Sequence, residues 1–176
     1  MADLVVIGIG VVPNVELAAA AGIRCQDGIV VDEYCATSAP DVFAAGDVAS
    51  YPDPFFGRQM RAENWMHAQN HALVAARSAL GTREAYRQTP YMWSDQYDLK
   101  IQVTGRFDTG HDVLRGDPAK HRYMYLHLAD GRVVGASGIN ESRDIKFAQR
   151  LIEAGVIVEP AKLADPSFNL KKAAGG

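Results

Sequence analysis

Asp47 follows Ala44-Ala45-Gly46 directly, three residues with almost no side-chain bulk. A strand ending there lets a ligand come against the backbone, at the carboxyl end where open α/β sheets bind cofactors. A carboxylate in that place can accept hydrogen bonds from sugar or sugar-alcohol hydroxyls, although Gly46-Asp47 taken alone reads first as a tight turn. Glu63, His67 and His71 are spaced by four, which on a helix puts them on one face, as metal ligands could be. No further histidine or cysteine cluster and no HExxH pattern accompany them, so the expectation is solvated or hydrogen-bonded side chains and no metal. Gly135-Ala-Ser137-Gly138 is one residue short of a nucleophile elbow and suits a strand, so a hydrolase is rejected. Gly8-Ile-Gly10-Val-Val-Pro13 sits between a strand and a helix, as a dinucleotide fingerprint should, but proline replaces the third glycine. That proline suits a helix start, not close helix–strand packing. No residue is assigned a catalytic role.

The elements that would position these groups follow from periodicity. Residues 3–9 read as a strand apolar on both faces, the pattern of a parallel sheet covered on each side. A short Ala-rich helix over 15–21 stops at Gly22. Further strands are expected over 29–32 and 42–45, the second ending at Gly46-Asp47, with a loop rich in Pro, Phe and Gly from Tyr51 to Gly57. The clearest helix runs from Glu63 to Leu80, with small residues at Ala68, Ala72, Ala75, Ala76 and Ala79, and Gly81 beyond it. After residue 90 the pattern changes to strands over 91–93, 99–104, 122–128 and 132–139, the last two flanking the hairpin signal Asp130-Gly131. A helix over 142–154 has Ser142 as expected N-cap and Gly155 past its end. Residues 159–176 carry few structure signals. A boundary is placed near 85–90, between an α/β part and a smaller α+β part. About three strands and two helices in the first 85 residues are too few to bury a doubly apolar strand, so the chain reads as beginning partway through a larger fold.

The chain has 176 residues, 48% of them hydrophobic and 22% charged, with a formal net charge of -3. That composition is globular, and without a Lys/Arg-rich face it argues against a nucleic-acid partner. Cys25 and Cys35, ten apart, fit neither a redox CxxC pair nor a zinc site, so reduced thiols in a cytoplasmic protein are expected. No apolar stretch approaches 18 residues, and the start is not a basic-then-apolar signal segment, so no membrane association is expected.

The string Thr37-Ser-Ala-Pro-Asp-Val-Phe-Ala-Ala-Gly-Asp47 closely resembles the second flavin-binding motif of the flavoprotein reductases with two dinucleotide domains. Arg61-Ala-Glu63-Asn-Trp65-x-x-Ala68, and Trp93-Ser-Asp95-Gln96-Tyr97 followed by Leu99-Lys-Ile-Gln-Val-x-Gly105, narrow the resemblance to the ferredoxin and rubredoxin reductases that serve oxygenases. It covers essentially the whole chain in order. It implies an α/β segment, the end of an NAD domain and the returning half of an FAD domain, followed by a small α+β C-terminal reductase domain with an antiparallel sheet. The implied limits are residues 1–20, 21–88 and 89–176.

The resemblance also implies roles. Asp47, with Val48 beside it, would bind FAD. Trp65, next to Asn64, would present its backbone N–H to the pyrimidine edge of the flavin; a helix N-terminus has free N–H groups and partial positive charge to offer there. Trp93 would lie beside the isoalloxazine, with Gln96 and Glu63 near the site, while Gly8 and Gly10 would brush the nicotinamide cofactor. The intact enzyme would pass electrons from NADH or NADPH through FAD to a two-iron ferredoxin or to rubredoxin. The chain alone, lacking both Gly-rich pyrophosphate loops, is expected to be inactive. Other readings are a non-catalytic docking or dimerising module, which would self-associate or use Arg106, Arg115, Lys120 and Arg122 to steer an acidic ferredoxin, and another flavoprotein of the same superfamily.

Overall fold

The computed structural model describes residues 2–175, which divide into two compact units. Residues 2–53, 58–63 and 68–86 form the first, and residues 54–57, 64–67 and 87–175 the second.

In the first unit, Ile29–Val30 (β1) pairs parallel with Ala49–Pro52 (β2), and β2 pairs antiparallel with Gln59–Met60 (β3). The helix Glu16–Ala20 (α1) precedes them, closed by Gly22 at φ +73°. A core of Val31, Cys35, Ala49, Tyr51, Ala62, Val74 and Tyr86 lies between these strands and the helix Trp65–Ala79 (α2). Two strand expectations fail here. Residues 3–9 form no strand, and Leu4, Val5, Val6, Ile7, Ile9, Val11 and Val12 are each at least 65% exposed. Two apolar faces need strand neighbours and covering layers to be stable, and no described segment pairs with this run. Residues 42–45 hold a single bridge, Phe43 to Ala36, in place of a ladder. The sheet is instead completed by β2 and β3; the expected loop from Tyr51 to Gly57 takes in only the last two residues of β2, where Pro52, Pro54 and Gly57 crowd the pattern, and β3 carries no signal in the sequence.

The second unit is a five-stranded antiparallel sheet with helices on one face. Its order is Tyr91–Gln96 (β4), Leu99–Gly105 (β5), Arg132–Ile139 (β8), Arg122–Ala129 (β7) and His111–Asp117 (β6). β6 is absent from the sequence reading, because Arg115, Gly116 and Asp117 interrupt its alternation. The β7–β8 hairpin turns on Asp130 (φ +51°) and Gly131 (φ +74°), both left-handed as the Asp-Gly pair demands. Met124, Leu126 and Leu128 alternate along β7 and bury against Ile145, Ala148, Leu151 and Ile152, one stripe of the helix Ser142–Ala154 (α3). Each fully buried Leu or Ile contributes about 2 kcal/mol. Ser142 is the first helical residue and not the cap; Glu141 occupies the cap position and makes no side-chain cap bond. Gly155 ends α3 at φ +59°. The tail is not structureless: Pro160–Ala164 (α4) and Leu170–Ala173 (α5) dock Leu163 and Leu170 into the same core. Two short helices of one turn each have too little periodicity to be seen in sequence.

Candidate functional site

The Gly46–Val48 segment is a 3-10 turn that closes the extended Ala45 (φ -148°) and leads into β2. Gly46 is buried at φ +75°, and a Cβ there would lie 3.5 Å from the Cβ of Ala68 on α2, so the small residues of helix and turn let the two backbones meet. Asp47 follows with its side chain exposed, and Val48 is half-buried. Two groups hold this turn. The Gly46 amide donates to His71 Nδ1 at 3.3 Å, and Arg61 Nη1 donates to the Asp47 carbonyl at 3.1 Å. Arg61 also pairs with Asp27 at 3.2 Å and with Glu63. Arg61 opens the Arg-Ala-Glu-Asn-Trp string; its role as the clasp between three loops has no local signal, because its partners lie up to 34 residues away.

Glu63 therefore sits before α2, bound to Arg61, and shares no helical face with His67 and His71. His67 and His71 are both buried. Among the described residues, no three His, Cys, Asp or Glu side chains gather as a metal would require. Cys35 is fully buried, its Sγ donating to the His71 carbonyl at 3.6 Å. Burial first, and the negative charge of Asp32 second, push its thiol up to about 12. Thiolate, not thiol, attacks alkylating reagents, so Cys35 stays protonated and unreactive until the pH approaches 12. Iodoacetamide at pH 8 followed by mass spectrometry is expected to label half-buried Cys25 and leave Cys35 unmodified in the folded chain. Equal labelling would contradict it.

In the second unit, Asn64 caps α2: its Oδ1 accepts the His67 amide at 2.8 Å. The helix cannot satisfy its own first four N–H groups, and Trp65 is the first of them. Its indole is 64% exposed and meets Trp93 edge-on, ring centroids 6.0 Å apart; Trp93 in turn stacks with Tyr91 at 6.1 Å. Gln102 Nε2 donates to Tyr91 Oη at 2.7 Å, while its buried Oε1 has no partner. Met66, Tyr91, Trp93, Asp95, Lys100, Gln102 and Ser142 line a cleft of about 360 Å³. Tyr91 and Gln102 are missing from the sequence-derived site. The period-two alternation of β4 and β5, which puts Tyr91, Trp93, Lys100 and Gln102 on one face, was the signal for them. Gln96 is exposed at the end of β4 and donates to Ser94 Oγ. Gly8 and Gly10 lie in the unpaired N-terminal run with nothing within 4 Å of a Cβ.

The cationic residues separate. Arg115 is buried and not a steering charge: it donates to Asp144 and to the carbonyls of Leu163, Asp165, Pro166 and Phe168. Lys120 pairs with Asp117, Arg122 with Glu141 and Arg106 with Asp108. No helix among the described residues is long and apolar enough to cross a membrane.

Residues 1–72 match the family model of pyridine nucleotide-disulphide oxidoreductases, and residues 91–174 match that of the reductase C-terminal domain. The chain is 48% identical over 172 residues to the ferredoxin–NAD(+) reductase component of the anthranilate 1,2-dioxygenase system of Burkholderia cepacia, covering 97% of this chain and 42% of the relative. Rhodocoxin reductase of Rhodococcus erythropolis is 38% identical, with 98% and 40% covered. Among solved structures, the ferredoxin reductase for the CYP199A2 system from Rhodopseudomonas palustris superimposes with a TM-score of 0.91 at 38% identity, over 98% of this chain and 43% of that one. The reductase in the covalent putidaredoxin reductase–putidaredoxin complex gives 0.91 at 32%, over 99% and 43%. The chain thus spans about 42% of the length of the relatives it matches. It is an α/β segment followed by an antiparallel-sheet domain, and its two parts match, in order, the pyridine nucleotide-disulphide oxidoreductase and the reductase C-terminal family models.

Proposed function

We propose that this chain supplies one half of the flavin site of a reductase that passes electrons from NADH or NADPH, through FAD, to a ferredoxin or rubredoxin serving an oxygenase. The single observation that carries the reading is the α2 start: an amide-rich helix mouth beside a wall of three aromatic rings, Trp65, Trp93 and Tyr91. A flat, electron-accepting ring fits such a wall, and free N–H groups stabilise negative charge on it. The residues present suit FAD in kind. Trp65 would give its amide, Asp47 and Val48 would meet the sugar-alcohol chain, and Asn64, Glu63, Trp93 and Gln96 would surround the ring. Flavin supplies the hydride acceptance and single-electron release; this chain's residues bind and orient it, and none moves a proton. Residues 1–20 are read as the end of the NAD domain, with Gly8 and Gly10 near the nicotinamide, 21–88 as the returning half of the FAD domain, and 89–176 as the C-terminal domain. The cytoplasm, where Cys25 and Cys35 stay reduced, is the compartment this chemistry implies.

Alone, the chain is expected to purify colourless and without NADH-dependent dye reduction. Grafted in place of the matching portion of the Burkholderia reductase, it is expected to give a yellow protein that reduces ferredoxin. Asp47→Ala in that hybrid is expected to weaken FAD binding roughly 10- to 100-fold, the loss of about 1.5–3 kcal/mol for a hydrogen bond to a charged group. Equilibrium dialysis measures it; a folded hybrid without flavin, or an unchanged affinity, would overturn the reading.

A further inference from the structure

His71 is a buried imidazole to which the flavin reading gives no task. It lies in the second turn of α2, fully buried, with the rings of Tyr51 and Tyr86 at 5.1 and 4.7 Å and its own carbonyl accepting from Cys35. An atom that accepts an N–H must keep its lone pair, so a ring that takes the Gly46 amide on Nδ1 is neutral, with its proton on Nε2. Gly46 is the left-handed residue that turns the chain and presents Asp47 outward. Two side chains bond the peptide units flanking this corner, His71 at the Gly46 amide and Arg61 at the Asp47 carbonyl.

Resting on the flavin role of Asp47 given above, we propose that His71 is a positioning residue for the Asp47 carboxylate and that its neutral form locks the turn. Protonation converts Nδ1 from acceptor to donor and sets it against the Gly46 N–H, which frees the corner and loosens whatever Asp47 holds. The titratable groups around the ring come from every element packed on it. Cys35 is on the preceding loop, Tyr51 on β2 and Tyr86 after α2; Asp53 at the end of β2 acts on both tyrosines, and Asp32 acts on Cys35. His67 is one turn earlier on α2, and Asp47 itself is exposed on the turn. Burial pushes the thiol and both phenols upward, so these three stay neutral near physiological pH and add no charge beside the ring.

Nitrogen NMR of the chain tests this directly. Near neutral pH the His71 ring is expected to show an unprotonated, hydrogen-bonded Nδ1. On acidification the Gly46 amide shift and its hydrogen-exchange protection are expected to change with the same midpoint as the ring. His71→Gln, whose amide oxygen can accept the same bond, is expected to keep Gly46 protection and abolish its pH step. His71→Phe, which keeps the ring packing without an acceptor, is expected to raise Gly46 exchange at least 10-fold at all pH values. Protection unchanged in a folded His71→Phe chain, or a proton on Nδ1 near neutral pH, would overturn the coupling. In the hybrid reductase, acid-induced release of FAD is expected to vanish with His71→Gln. If Gly46 follows His71 but FAD retention follows neither, the coupling stands while the flavin role of Asp47, and with it the switch, falls.

Discussion

Arg115→Met is expected to detach the C-terminal tail and to cost about 3–5 kcal/mol of unfolding free energy, the scale for removing one partner of a buried charged network. The side chain is 6% exposed on β6, in a sheet edge that α4 faces. One guanidinium reaches Asp144 on α3 at 2.9 Å and the carbonyls of Leu163, Pro166 and Phe168 at 3.0–3.2 Å, with Asp165 as a fourth. The carbonyls left behind by short helices and the turn between them have few other donors, and an unsatisfied buried acceptor costs about 1–3 kcal/mol. Lysine cannot replace the fork, because its single ammonium has three donors from one point and cannot span Asp144 and four carbonyls at once. Arg115→Lys is therefore expected to lose most of the same stability. Urea unfolding measures the loss. Limited proteolysis is expected to cut both variants first between residues 159 and 175, and a tail as resistant as that of the parent chain would refute the anchor.

Gly135→Ala is the second large effect, about 3 kcal/mol or a failure to fold, at the upper end of overpacking costs. Gly135 pairs with Gly105 across β5 and β8, and Arg106 N–H donates to the Val134 carbonyl just beside them. A Cβ on Gly135 would stand 2.2 Å from the Arg106 carbonyl oxygen and 3.1 Å from a ring carbon of Phe107. Backbone cannot retreat from such a contact without breaking the ladder it belongs to. Gly138, three residues on, provides the control. Its Cβ would meet the Ile145 side chain and the Met124 Cβ at 3.1–3.2 Å, contacts that a rotation of Ile145 and a shift of a few tenths of an ångström at Met124 relieve, so Gly138→Ala is expected to cost about 1 kcal/mol. Equal urea midpoints for the two variants would refute the distinction. The same pair of glycines disposes of the near-match to a nucleophile elbow: Ser137 is a strand residue of β8, and the small residues around it are there for backbone approach.

Elements whose own residues carry the signal were legible before any coordinates. α2 and α3 show helical period and terminal glycines, and the β7–β8 turn is written in two residues, because hydrogen bonds within a helix or a two-residue turn depend on neighbours in the chain. The motif around Asp47 and the Trp-Ser-Asp-Gln string carried the resemblance to the flavoprotein reductases for the same reason: they are contiguous. What escaped was set by distant partners. Residues 3–9 have every local property of a strand and none of its pairing, since a strand exists only against another. β6 is a strand despite Arg115 and Gly116, because β7 pairs along its whole length.

Among the candidate residues, the sequence by itself determined the types: a carboxylate after three small residues, two tryptophans, and a helix start. Tertiary structure decided which groups hold them. Arg61 clasps three loops, His71 takes the Gly46 amide, Tyr91 and Gln102 join the aromatic wall, and Arg115 turns from a surface charge into the anchor of the tail. The division has one cause. Propensity and capping act over a few residues and leave a pattern in the chain, whereas a buried hydrogen bond between residues 25 or 50 apart leaves none until the core brings its two ends together.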